Sequence, residues 1–114
     1  MSGLTVKNLL EDQRFILSNS VEELDKQIEN VYIGDLLSWV MSHSDSNCAW
    51  ITVQTHINIV AVAVLLEMSC IILPEGLEPD ENTKSKSESE GIPIITTELD
   101  AFSIACVLKE KIDK

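Results

Sequence analysis

Short apolar runs alternate with polar stretches along the chain, and the spacing inside each run separates strands from helices. Phe15-Ile16-Leu17, Val31-Tyr32-Ile33, Ala49–Gln54, Cys70–Leu73 and Ile92–Ile95 are brief and rich in β-branched residues, which predicts strands. Pro93 places the last of these at a strand start or an edge. Leu4–Leu10 has helical spacing, with Thr5 or Ser2 as its cap. Ser20 and Glu23 stand at capping-box spacing, which predicts a helical turn over Val21–Asp25. Gly34-Asp35 ends the second strand and opens a helix through Ser42, capped by Asp35, with Leu36, Leu37, Val40 and Met41 on its inner face. A second capping box, Thr97 to Asp100, opens a last helix to about Ile112, with Ala101, Ala105, Leu108 and Ile112 facing inward.

The segment Ile57–Met68 reads differently. Ile57, Val60, Ala61, Val64, Leu65 and Met68 define the core face of a helix, yet Ile59, Val62, Ala63 and Leu66 make the opposite side apolar as well. A helix that is apolar all round needs cover on more than one side. In so small a domain a second subunit is the expected cover. By contrast, Glu78–Gly91 has no apolar residue apart from Pro79, a candidate first helical position. This acidic, polar crossover, part of a stretch spanning residues 75–91, predicts a weak helix or a mobile loop.

Strand, helix, strand, crossover, strand and helix in this order imply parallel strands joined by right-handed connections. The expected fold is a single α/β domain over residues 1–114. It is layered, with a mainly parallel sheet of about four to five short strands and helices on its faces.

Composition narrows the function more than the fold. With 114 residues and 45% hydrophobic content, the chain can build a core without a metal or disulfide staple. The net charge is −11, with Arg14 the single arginine, so the clustered cations of a nucleic-acid binder are missing. The same acidity opposes an anionic membrane surface, and the longest apolar run, Ile59–Met68 with Glu67 inside it, is far too short to cross a bilayer. Cys48, Cys70 and Cys106 are dispersed and odd in number, and Cys70 and Cys106 sit in apolar runs as buried thiols would. With no signal-peptide pattern at the start, the expected location is cytoplasmic.

Parallel sheets bind ligands beyond the carboxyl ends of their strands, near helix starts. Here that edge carries Gly34 and Asp35, then Gln54, Thr55, His56 and Asn58, then Thr96 and Thr97. These are hydrogen-bonding groups suited to a nucleotide or a small anionic metabolite. Asp35, Asn58 and Thr97 have a plainer role as helix caps, and His56 as a structural group beside a helix start. No His, Cys or acidic pair has a metal spacing, and neither Cys48 nor any serine carries a nucleophile signature. Four glycines, none in a glycine-rich loop followed by lysine, exclude a P-loop. No cofactor is expected. Trp39 and Trp50 are candidate interface anchors, and Trp39, Ile59, Val62, Ala63 and Leu66 are the residues expected to meet a second copy.

Two central blocks carry a resemblance. One is Val31-Tyr32-Ile33-Gly34-Asp35-Leu36-Leu37-Ser38 followed by Val40-Met41. The other is Ala49-Trp50-Ile51-Thr52-Val53-Gln54-Thr55-His56 running into Asn58-Ile59-Val60-Ala61-Val62-Ala63. With Ile92-Pro93-Ile94, Thr96-Thr97 and the C-terminal helix, the stretch from Leu4 to Ile112 resembles a DRTGG domain. Such domains are similar to the N-terminal domain of HPr kinase/phosphorylase and, more distantly, to the uridine-nucleotide-binding domain of Mur ligases. They occur beside phosphotransacetylases and CBS-containing pyrophosphatases, or free-standing, with regulatory or assembly duties. The pentapeptide that names the family does not occur in this chain. Without a P-loop domain, the resemblance does not extend to a kinase.

The resemblance and the residues together favour a non-catalytic regulatory or ligand-sensing homodimer. An adaptor that binds a partner protein is the alternative. An enzyme acting on a phosphorylated metabolite through His56 and Asp35 comes third.

Overall fold

The computed structural model describes residues 3–114, so Ser2 as a cap lies outside the described residues. Its sheet has five strands: β1 (Ile16–Leu17), β2 (Asn30–Ile33), β3 (Cys48–Ile51), β4 (Cys70–Leu73) and β5 (Ile94–Thr96). They lie in the order β1-β5-β4-β3-β2, all parallel except β1, which runs antiparallel to β5. The helices are α1 (Val6–Leu9), α2 (Leu37–His43), α3 (Asn58–Leu65), α4 (Glu81–Glu90) and α5 (Ala101–Ile112). The layered, mainly parallel α/β arrangement read from the sequence is the one observed.

Alternation along the buried strands divides the core in two. Ala49, Ile51, Cys70, Ile72 and Ile95 face α1 and α5, where Val6, Leu9, Ile104 and Leu108 are buried. Trp50, Ile71, Leu73 and Ile94 face the other way, towards Val40 of α2 and Ile59, Val60, Val62 and Ala63 of α3. Strands buried on both faces need continuous apolar runs, and β3 and β4 have them.

Several local expectations are corrected by longer-range bonds. Val21–Asp25 forms no helical turn. Its neighbourhood stays open so that Leu24 O and Lys26 O accept from the N–H groups of Lys7 and Val6 (2.9 and 3.0 Å), which α1 leaves unpaired at its start. Thr5 caps α1 through a reciprocal capping box with Asn8. The last helix begins three residues later than its apparent box, with Asp100 accepting from Ser103 N–H at 2.8 Å. That bond lowers the Asp100 pKa. Cys106 is exposed on this helix rather than buried, while Cys48 and Cys70 are buried, and all three are free thiols.

The crossover takes the helical of its two expected forms, although Pro79 does not open it. It forms the helix α4, with Asp80 at its N-cap and Gly91 closing it at a left-handed φ of 73°, and Pro79 lies before the cap. With no apolar side chain to bury, α4 docks beside α3 through hydroxyls. Thr83 Oγ1 donates to Thr55 O (2.8 Å), and the buried Ser87 hydroxyl accepts from Asn19 Nδ2 (2.7 Å). Ser20 N–H adds a bond to the Glu88 carboxylate (2.8 Å). Among the described residues no buried side-chain polar atom lacks a partner.

In α3 and the turn after it, Val60 and Met68 are buried as expected, but the rest of the two apolar faces is exchanged: Ile59, Val62 and Ala63 are buried, whereas Ile57, Ala61, Val64 and Leu65 are exposed. Periodicity could not rank two faces of equal hydropathy; the sheet on one side and α4 alongside decide between them. The helix ends in a Schellman motif, with Met68 N–H to Ala63 O and Glu67 N–H to Val64 O (3.0 and 3.2 Å). Glu67 holds the left-handed position (φ 54°), where glycine is favoured. Lys26 Nζ donates to its carbonyl at 2.9 Å. Glu67→Gly keeps this backbone and is expected to raise stability by about 0.5–1 kcal/mol, read as a higher midpoint in thermal melts.

Candidate functional site

At the carboxyl ends of β2 and β3 the chain must turn twice, and one side chain ties the two turns together. Asp35 follows Gly34 after β2. Its Oδ1 accepts from Thr52 Oγ1 and from Val53 N–H, both at 2.9 Å. Gln54 Nε2 returns a bond to Asp35 O (2.9 Å), and Gln54 N–H donates to Thr52 Oγ1 (3.2 Å). Asp35 therefore does not cap α2, whose N-cap is Leu36 without a side-chain bond. Thr52 N–H still donates to Ile72 O (3.2 Å), but Val53 N–H turns to the Asp35 carboxylate, and β3 stops at Ile51 rather than Gln54.

Gly34 fits this junction because its neighbours leave no room. A Cβ there would lie 3.0 Å from the Tyr32 ring and 3.3 Å from Val40. Its carbonyl accepts from Trp50 Nε1 at 2.9 Å. Trp50 is fully buried, so it anchors the core and offers nothing to an interface. Further along, Thr55 O receives Asp80 N–H and Thr83 Oγ1 from the start of α4. His56 Nδ1 sits 3.2 Å from an Asp80 carboxylate oxygen, with both side chains half or more exposed. Asn58 is exposed as the first residue of α3, whose N-cap is Ile57, so it caps nothing.

Thr96 and Thr97 stand apart from this group, at the end of β5. They line a cleft of about 290 Å³ together with Gln13, Arg14, Gly76 and Glu98. Thr97 Oγ1 accepts from Leu99 N–H (3.2 Å), a turn bond and not a helix cap. Antiparallel pairing of β1 with β5 swings Arg14 to this edge, a placement no sequence signal disclosed. Its guanidinium grips Asp12 through Nε and Nη2 (2.9 and 2.6 Å) and holds that carboxyl well below the usual range. The predicted site residues are thus dispersed. Asp35 and Gln54 share one network, Gly34 accepts from Trp50 beside it, Thr55 and His56 meet the start of α4 at Asp80, Asn58 is exposed, and Thr96 with Thr97 lines the cleft.

The residues expected to meet a second copy also divide. Ile59, Val62 and Ala63 are buried in the chain's own core and Leu66 is half-buried, so they present little or no surface. Trp39 is 55% exposed and stacks on His43 with ring centroids 3.9 Å apart. No three His, Cys, Asp or Glu among the described residues converge as a metal site. Burial pushes the Cys48 thiol up to about 12 and raises Cys70 as well, the opposite of an activated nucleophile. No described helix is long and apolar enough to cross a membrane.

Comparison with known proteins agrees with this architecture. No curated protein matches the sequence. The chain superposes with a TM-score of 0.72 on a structure of the CBS and DRTGG domains of the regulatory region of Clostridium perfringens pyrophosphatase, complexed with the activator diadenosine tetraphosphate. Identity is 18%, and the match covers 96% of this chain but 48% of that one, a likeness of fold. The family model of the DRTGG domain matches residues 15–110, the whole sheet and every helix but α1, stopping two residues short of the end of α5. The chain belongs to the DRTGG domain family.

Proposed function

We propose that this chain is a non-catalytic regulatory domain that works as a homodimer. It reads a nucleotide or small phosphorylated metabolite at its strand-end edge. The observation that carries the reading is the uneven distribution of exposed apolar side chains. Ile33, Leu36, Trp39, Met41, Val53, Ile57, Val64 and Leu65 all come from the stretch between β2 and the end of α3. Elsewhere among the described residues only Ile16 and Phe102 are large, apolar and exposed. Exposed apolar side chains gathered in one stretch of a domain this small mark an interaction surface.

Part of that surface, Ile33, Leu36 and Val53, adjoins the Asp35–Thr52–Gln54 network. A ligand that displaced one of its bonds would be felt at the neighbouring contact. The pyrophosphatase region of similar fold is a regulatory one bound to a nucleotide, which supports this kind of role. Buried free thiols suit a reducing compartment, and we place the protein in the cytoplasm.

Sedimentation across a concentration series, with thermal-shift scans against adenine and uridine nucleotides, tests the reading. The expected results are twice the 12.7 kDa chain mass and a melting temperature that climbs with nucleotide concentration. A monomer at every concentration with no shift for any nucleotide overturns it. An adaptor role is the second reading, favoured by the exposed Trp39 beside Leu36. A monomer that forms a stoichiometric complex with another protein through Trp39 would establish it instead.

A further inference from the structure

We propose that the second copy joins at the free edge of β2, so that two sheets become one across a two-fold axis. This rests on the self-association proposed above and names its contact. Among the described residues β2 is the terminal strand of the sheet and pairs only with β3. Gly34 N–H donates to Ile51 O (3.2 Å). Bonding in a parallel ladder alternates, so Tyr32 points the same way. The N–H and C=O groups of Val31 and Ile33 then face away from the sheet.

Edges of this kind are usually blunted with lysine, proline or a bulge. Asn30–Ile33 contains neither of those residues and no charge at all. That matters for a chain of net charge −11, because the paired segment itself brings no carboxylate into the contact, the nearest along the chain being Glu29 before it and Asp35 after it. The strand is also self-complementary. About a two-fold at Tyr32, Val31 exchanges both backbone bonds with Ile33 of the partner subunit, and Ile33 with Val31 of the partner subunit.

Both flanks of the edge are prepared for such a neighbour. On one side a groove of about 360 Å³ between β2 and α5 has an apolar wall of Val31, Ile33, Ala105 and Ile112, with Glu29, Asn30 and Lys109 lining the rest. Pairing continues that apolar wall into the second copy. On the other side Tyr32 is half-buried against the layer of α2, the segment that carries the exposed Leu36 and Trp39.

Hydrogen exchange on the full chain, run at concentrations spanning the dimerisation transition seen by sedimentation, tests the contact. The Val31 and Ile33 amides are expected to slow by about tenfold or more as the dimer forms, while Trp39 keeps its rate. Val31→Pro removes an outward N–H at a position where an edge strand tolerates proline, and Ile33→Lys adds an edge guard. Both are expected to be monomeric with native circular dichroism; if the proline variant does not fold, the lysine variant decides. A dimer that persists in Ile33→Lys, exchanges freely at both amides and dissociates in Leu65→Lys places the contact on α3. That result overturns this inference and leaves the homodimer standing. A chain monomeric at all concentrations overturns both.

Discussion

Trp50→Ala is expected to lower stability by about 3–5 kcal/mol, the range for removing a buried tryptophan. Trp50 is fully enclosed between β3 and the α2–α3 layer, and its neighbours Val40, Ile59 and Ile71 belong to the same packed sheet face. They cannot collapse far into the space without dragging a strand or a helix with them. The variant also orphans Gly34 O, the acceptor of the indole N–H. Trp50→Phe separates the two effects: it keeps most of the ring volume and loses the bond, so it should cost less than the alanine change. Urea denaturation followed by circular dichroism measures both. Equal losses in the two variants would show that the hydrogen bond, and not the ring, sets the stability here.

Asn19→Ala should be nearly as damaging, at about 2–4 kcal/mol, although it removes a small side chain. The Asn19 amide is buried. It donates to Ser87 Oγ (2.7 Å) and Ile92 O (2.9 Å) and accepts from Ile94 N–H (3.0 Å). One residue therefore fastens the segment after β1 to the end of α4 and the start of β5. Truncation takes these bonds from the buried Ile92 O and Ile94 N–H, while Ser87 Oγ keeps only its bond to Lys84 O (2.8 Å). In a domain near this size each kcal/mol shifts the melting temperature by about 4–8 °C, so the loss is large in a thermal scan. A second signature distinguishes it from a general packing defect. The Ile94 amide should lose its exchange protection more than the amides of β3 do.

Asn19 also shows where sequence reading stops. The strands were legible because each is a short apolar run bounded by polar residues, and a five-stranded sheet needs little else. What escaped was held by partners distant in sequence. Asp35 has the composition of a helix cap, but Thr52 and Val53 take its carboxylate. Residues 78–91 look too polar to pack, but Thr83 and Ser87 dock α4 with hydroxyls bonded to Thr55 and Asn19. The buried face of α3 was unreadable for a different reason. Both of its sides are apolar, and only the neighbours assembled around it break the tie.

The candidate site was legible in part for the same reasons. Strand ends follow from strands, so the edge carrying Asp35, Gln54 and Thr96 was in view from the order of elements. Arg14 was not, because it reaches that edge only through the antiparallel turn of β1 onto β5. Internal bonding is equally hidden from a linear pattern. A row of polar residues reads as open for a ligand when several already satisfy one another.

The two rims of the sheet are unequal, and that inequality sets how far assembly can run. On one rim β1 is only two residues long and reversed, and Ser18 adds N–H and hydroxyl bonds to Ile94 O (2.8 and 3.1 Å) that fasten it in place. The opposite rim is a full four-residue strand. A molecule with a single extensible rim consumes it in its first two-fold pairing. Under the pairing proposed above, raising the concentration saturates at pairs and does not lengthen ribbons, a built-in stop against fibre growth for an aliphatic, open-edged chain.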